Sequence, residues 1–223
     1  MGRELSTGKK ANSHPLDWCV EQCWCWDQII AEIGPEAECD EDVAIWDPAA
    51  GYGTSGQALQ EWGYSGRIWL SDLVENVDYE QFVIRPEFFA ADFLKVETPP
   101  EGAISIFSNP PYSYKKVGDF SIGEAYARHA LKLATHRVVM IFKLKWLSGG
   151  KLRSKLFRHD NPPQKVLYFT QRPSMPPGDM IDALGGRAFR GGSEDYCAVV
   201  WDVRNPTEPG ETRSIWLPRL GDA

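Results

Sequence analysis

The chain has 223 residues, 43% of them hydrophobic and 25% charged, a balance that suits one substantial core with a minor appendage and excludes a disordered or fibrous polypeptide. Its unbroken apolar runs, such as Val138–Phe142, are far too short to cross a bilayer, and the amino-terminal MGRELSTGKK has no apolar signal core, so a soluble, cytoplasmic protein is expected. The net charge of −7 hides an asymmetry: residues 1–101 hold 6 Lys and Arg against 20 Asp and Glu, a net of −14, whereas Arg128–Arg172 holds 11 against Asp160 alone, a net of +10. A polyanion would be drawn to the basic part despite the acidic whole.

Asp17–Gly34 carries apolar residues at helical spacing and ends in Gly-Pro, which predicts an amphipathic helix. It holds Cys19, Cys23 and Cys25, whose spacing lacks the usual zinc pattern. With Cys39 and Cys197 they make an odd set of five, read as free packing thiols of a reducing compartment, and no metal site is expected. The acidic stretch Glu36–Asp42 reads as a linker. Strands and helices then alternate. Strand Val43–Trp46 is followed by a glycine-rich turn, helix Gln57–Trp62 and strand Arg67–Leu70. Strands Phe88–Ala90 and Ala103–Phe107, helix Ile122–Thr135, and strands Arg137–Phe142, Lys165–Phe169 and Tyr196–Trp201 complete the set. Short β-branched strands separated by helices predict a mostly parallel α/β sheet with helices on both faces.

In such a sheet ligands bind beyond the carboxyl ends of the strands, and this chain places polar and glycine residues there. The first strand runs into DPAAGYGTSG, where Gly51 and Gly53 allow a ligand close to the backbone at a helix amino end. Asp47 at that point would repel a pyrophosphate and favours a ligand with an amino group. Asp72 lies 21 positions past Gly51, placed to accept hydrogen bonds from both ribose hydroxyls of a nucleoside. Asp92 is expected to accept from an adenine amino group and Phe93 to lie against the ring. The fourth strand ends in Asn109-Pro110-Pro111-Tyr112, where two prolines remove two backbone donors and fix the chain direction ahead of an aromatic ring.

Together, Asp47-Pro48-Ala49-Ala50-Gly51-Tyr52-Gly53, Asp72, Asp92-Phe93 and Asn109-Pro110-Pro111-Tyr112 resemble the class I S-adenosylmethionine-dependent methyltransferases, over roughly residues 12–201. Pairing DPxxGxG with NPPY is similar to the amino-methyltransferase branch that modifies adenine in DNA. The Ser13–Trp18 stretch SHPLDW is similar to the Thr-Pro segment that opens the leading helix there, with His14 in place of threonine. The resemblance implies a Rossmann-like, mostly parallel seven-stranded sheet with an antiparallel last strand. Residues 1–40 would form a helical extension packed on a catalytic domain of residues 41–223. It implies S-adenosylmethionine as cofactor, held by Asp47, Pro48, Ala49, Gly51, Gly53, Asp72, Leu73, Asp92, Phe93 and Asn109. It also implies catalysis by Asn109 and Pro110, which accept the two hydrogens of a target amine while Pro111 stiffens the corner and Tyr112 stacks on the base.

Three substrate classes share that chemistry: adenine in DNA, bases in RNA, and protein glutamine. Glutamine enzymes of this type carry a sizeable helical domain ahead of the catalytic one, and about forty residues precede the first strand here. The basic segment favours nucleic acid, with DNA ahead of RNA. Lys115, Lys116, Lys143, Lys145, Lys151, Arg153 and Arg172 are its candidate contacts. FKLKWLSGGKLRSKLF, with a Gly-Gly hinge, looks like the corresponding loop of small phage- and prophage-encoded DNA adenine methyltransferases. The Pro- and Gly-rich Arg172–Asp195 is the stretch with room for target recognition, so recognition is expected to be short or relaxed, or delegated to a partner. A catalytically silent binding module is the non-enzymatic alternative.

Overall fold

The computed structural model describes residues 18–40, 42–79, 86–102, 104–112 and 115–221. The SHPLDW stretch lies outside them up to Trp18. Helix α1 (Cys23–Ile33) is shorter than the periodicity predicts, because residues 18–22 are extended. They pair with the Pro/Gly-rich insertion instead: Val20 N–H donates to Pro176 O at 2.9 Å and Gly178 N–H to Trp18 O at 3.1 Å. A Cβ on Gly178 would fall 2.2 Å from the Trp18 ring, so glycine is what lets these two segments close on each other.

The rest of the chain alternates nearly as expected. After a short α2 (Glu36–Asp40) come β1 (Ala44–Asp47), α3 (Thr54–Trp62), β2 (Ile68–Asp72), β3 (Glu87–Ala90) and β4 (Ile104–Ser108). A small hairpin, β5 (Lys116–Val117) and β6 (Phe120–Ser121), leads into α4 (Ile122–Leu133) and β7 (Arg137–Lys143). Then follow α5 (Lys151–Lys155), β8 (Lys165–Phe169), α6 (Ile181–Leu184), β9 (Tyr196–Asp202) and β10 (Arg213–Leu217). The main sheet has the order β10-β8-β9-β7-β4-β1-β2-β3, eight strands rather than seven. The added strand is β10, parallel to β8; β9 runs antiparallel to both β7 and β8.

Alternation along the strands loads both faces. Ile45, Leu70, Phe107, Val139 and Ile141 meet α1 and α3 through Trp26, Ile29, Ile30, Ala58 and Leu59. Trp46, Ile104, Ile106, Val138, Met140 and Phe142 meet α4 through Tyr126, Ala127, Ala130 and Leu133. A buried ion pair joins the amino-terminal helices to the sheet. Arg137 of β7 bonds Glu38 of α2 and donates to Ile33 O and Gly34 O, both at 2.9 Å. Removing one partner of such a pair costs about 3–5 kcal/mol. No described helix is long and apolar enough to cross a membrane.

From β1 the chain first moves outward through β2 and β3, then returns to β4 on the other side of β1 and continues to β7. The strand order reverses between β1 and β4, and the glycine turn and the Asn-Pro-Pro-Tyr corner both leave the sheet at that point.

Candidate active site

At the first turn Gly51 and Gly53 adopt φ of 52° and 73°, left-handed values that a Cβ would strain, and Gly53 N-caps α3. Gly51 N–H donates to Asp72 Oδ2 at 2.9 Å, which locks the turn to the end of β2. Asp72 also accepts Leu73 N–H at 2.7 Å and Asn76 Nδ2 at 3.1 Å; burial raises its pKa while these donors lower it. A cleft of about 260 Å³ opens here. Ala49, Asp72, Leu73, Asp92 and Asn109 line it, as do Trp18, Cys19, Asn76, Leu94 and Tyr126, which the sequence did not single out.

Of the other predicted cofactor contacts, Gly51 and Gly53 shape the turn without lining the cleft, and Asp47, Pro48 and Phe93 are turned into the interior. Asp47 is buried and does not line the cleft, because Ser55 Oγ, Ser108 Oγ and Ala49 N–H all donate to it. It fastens β1 to α3 and β4. Phe93 is fully buried against Trp46, Tyr126 and His129, since the 3-10 turn Phe93–Lys95 points it into the core and Leu94 outward. Pro48 is buried beside Asp47.

Burial holds the Asp47 carboxyl near a pKa of about 7, against an ordinary 3.8, with nearby Glu21 adding to the rise. The folded value exceeds the unfolded one, so this group's contribution to stability is fully present below about pH 4 and is lost as pH rises through 7. Urea titrations from pH 4 to 7 are therefore expected to show a shallower loss of unfolding free energy in Asp47→Asn than in the parent. Glu21 and Asp72, shifted the same way, keep part of the slope.

At the corner, Asn109 and Pro110 are buried and Pro111 is half-buried. Asn109 Nδ2 donates to Glu21 Oε2 at 2.7 Å, and its Oδ1 accepts the Tyr112 hydroxyl. That hydroxyl also reaches Ile141 O at 3.2 Å, which fixes the ring across the end of β7. Pro111 lines a second cleft of about 420 Å³ on the far side of the corner. Tyr112, Phe142 and Trp146 supply its aromatic walls, with Phe142 and Trp146 stacked at 3.7 Å and 8°. Its cations are Lys116, Lys143, Lys145 and Arg153; Lys143 Nζ lies 5.7 Å from the Tyr112 ring centroid and Arg153 5.1 Å from that of Trp146. The Trp146 Nε1 and Ser121 Oγ in this cleft are buried without a hydrogen-bond partner.

Lys115 lines the first cleft rather than the second, and Lys151 opens α5 on the loop beside it. Gly149 O accepts from Arg153 Nε and Nη2, so the Gly-Gly pair shapes the start of α5. Arg172 pairs with Asp195 at 2.7 Å and closes the neck of the insertion, and Lys145 pairs with Glu194 at 3.4 Å. Six of the eleven cations in Arg128–Arg172 are in ion pairs with described carboxylates, which tempers the charge of that segment. Among the described residues no group of three or more His, Cys, Asp or Glu could hold a metal ion.

No protein-family model matches the chain, and no curated protein sequence does. Solved structures do match in fold. A class I S-adenosylmethionine-dependent methyltransferase of Listeria monocytogenes, itself described as putative, aligns over 88% of this chain and 65% of its own at 12% identity, with a TM-score of 0.59. The type IIG restriction endonuclease BpuSI aligns over 81% of this chain at 16% identity and a TM-score of 0.58. The type ISP restriction-modification enzyme LlaBIII, bound to DNA, aligns over 89% at 12% and 0.57. This chain spans only 25% of BpuSI and 20% of LlaBIII. The fold is the Rossmann-like fold of the Listeria methyltransferase, and its antiparallel strand is β9.

Proposed function

We propose that this chain is an S-adenosylmethionine-dependent methyltransferase that acts on the exocyclic amino group of adenine in DNA. The observation that carries this reading is a pair of unlike clefts meeting at one rigid corner. Asp72 and Asp92 line the first cleft, which suits a cationic ligand rich in hydroxyl and amino donors and disfavours a phosphate. The second is walled by aromatic rings and carries four cations, which suits a base beside a phosphate backbone. Pro111 lines both.

In the first cleft Asp72 would hold the ribose hydroxyls and Asp92 the adenine amino group, with Ala49, Leu73 and Leu94 against the apolar surfaces. The bound cofactor supplies an electrophilic methyl group whose C–S bond breaks as a new N–C bond forms. This chain's part is to prepare the nitrogen. Its lone pair is delocalised into the base, and accepting one hydrogen at Asn109 Oδ1 and the other at Pro110 O draws it towards tetrahedral geometry. Consecutive prolines keep those acceptors aimed without reorganisation. The methylated nitrogen then releases one proton to water. Tyr112 would stack on the base.

RNA is the second reading, since basic and aromatic walls serve either polymer; protein glutamine is disfavoured by the same cations. Labelled methyl donor offered with DNA, RNA and protein separates them: label in a DNase-sensitive product supports the proposal, and RNase-sensitive label alone replaces it with the RNA reading. If the second cleft meets phosphates, Lys116→Ala and Lys143→Ala are each expected to reduce the slope of log affinity against log salt by about 0.9. Nitrocellulose filter binding across a salt series measures it.

A further inference from the structure

Residues 18–22 reach the sheet as an extended segment, and from it Glu21 is carried into the interior, 7% exposed. Both of its oxygens are used. Oε1 accepts the Trp26 indole N–H at 2.6 Å and Oε2 accepts Asn109 Nδ2 at 2.7 Å. Both donors are neutral, so the acid is sunk among Trp26, Asn109 and the end of β4 with no cation at either contact. Burial raises its pKa and the two N–H donors oppose the rise. Packing alone would favour an apolar side chain there.

What a carboxylate offers here is that it only accepts. An asparagine amide has two ends of nearly equal shape, one donor and one acceptor, and its partners decide which end points where. Glu21 takes the donor end. The other end, Oδ1, then faces Tyr112, on a residue that lines the first cleft, and it has a second lone pair beyond the one that receives the Tyr112 hydroxyl. We infer that Glu21 is a positioning residue that orients the Asn109 amide so that its oxygen, and not its NH2, meets the incoming amine. This rests on the reading of the corner as a methyl-transfer site. With the amide reversed, a donor would oppose the two hydrogens of the substrate nitrogen.

Glu21→Gln keeps the shape and changes the hydrogen-bond pattern. If the introduced oxygen stays on Trp26, the introduced NH2 faces Asn109 and turns its amide round. The expected result is a kcat lowered by ~10²-fold, the loss typical of one misdirected acceptor, with cofactor affinity by calorimetry and the thermal midpoint close to those of the parent. Asn109→Asp alone sets two carboxylates face to face and is expected to be poorly active. Combined with Glu21→Gln, the introduced NH2 can donate to one oxygen of the new acid and leave the other towards the cleft. The double variant is therefore expected to be more active than either single one. Unchanged kcat in Glu21→Gln, or a double variant no better than its worse parent, overturns the inference. A second readout does not depend on turnover: the Asn109 side-chain 1H–15N resonances, assigned by their loss in Asn109→Asp, are expected to shift strongly in Glu21→Gln. If the parent methylates nothing, the proposed function fails while this shift still tests the orientation; resonances left in place overturn it.

Discussion

Asn109→Ala is expected to reduce methyl transfer by ~10²- to 10³-fold, the range seen when one oriented charge-stabilising group is removed, while cofactor binding persists. The amide oxygen is one of only two acceptors proposed to draw the nitrogen lone pair out of conjugation, and Pro110 O alone cannot hold both hydrogens. Asp72, Asp92 and Leu94 lie on other strand ends and keep the first cleft. The substitution also strips Glu21 Oε2 and the Tyr112 hydroxyl of a partner, so about 1–3 kcal/mol of stability is expected to go with it. Calorimetry with the cofactor and a labelled-methyl assay on the same preparation check the split. Wild-type turnover in Asn109→Ala would refute the role given to the corner.

Asp72→Ala is expected to fail in the opposite way. Its carboxylate is the proposed acceptor for two ribose hydroxyls and already tethers Gly51 N–H at 2.9 Å and Asn76 at 3.1 Å. Hydrogen bonds to a charged group contribute about 1.5–3 kcal/mol each, so losing two of them should weaken cofactor binding by ~10²- to 10⁴-fold. The glycine turn also loses its anchor. At saturating cofactor kcat should stay near that of the parent, because β4 and its corner are untouched. A fall in kcat with unchanged affinity would contradict this assignment.

How far the placement of these residues can be read from the sequence alone depends on whether its signal is local. Asp72 and the glycine turn are legible because strand ends, left-handed glycines and a spacing of 21 all lie within one β-α-β unit. Lys116, Lys143, Lys145 and Arg153 are legible as a group because all follow strands that end on the same edge, and the structure gathers them in one cleft. Phe93 is not, since a single 3-10 turn decides which of Phe93 and Leu94 faces the cleft. Arg137 reads as part of a basic surface yet belongs to a buried pair with Glu38, 99 positions away. Strand β10 has mostly exposed residues, with Trp216 68% exposed, so it lacks the alternation that marks a strand, and its pairing with β8 is long-range. Glu21 sits in a stretch that reads as an amphipathic helix, where an acid is expected to face water. Its burial comes from the extended pairing of residues 18–22 with the insertion and from Asn109, 88 positions on, neither of which leaves a local trace.

The corner matters only if a flat amine nitrogen is what receives the methyl group. DNA treated with the protein and labelled cofactor, digested to nucleosides and resolved by mass spectrometry, identifies the atom modified. The account predicts N6-methyldeoxyadenosine, formed ~10²- to 10³-fold more slowly by Asn109→Ala. Label on a ring carbon or ring nitrogen, or undiminished label with Asn109→Ala, would contradict it.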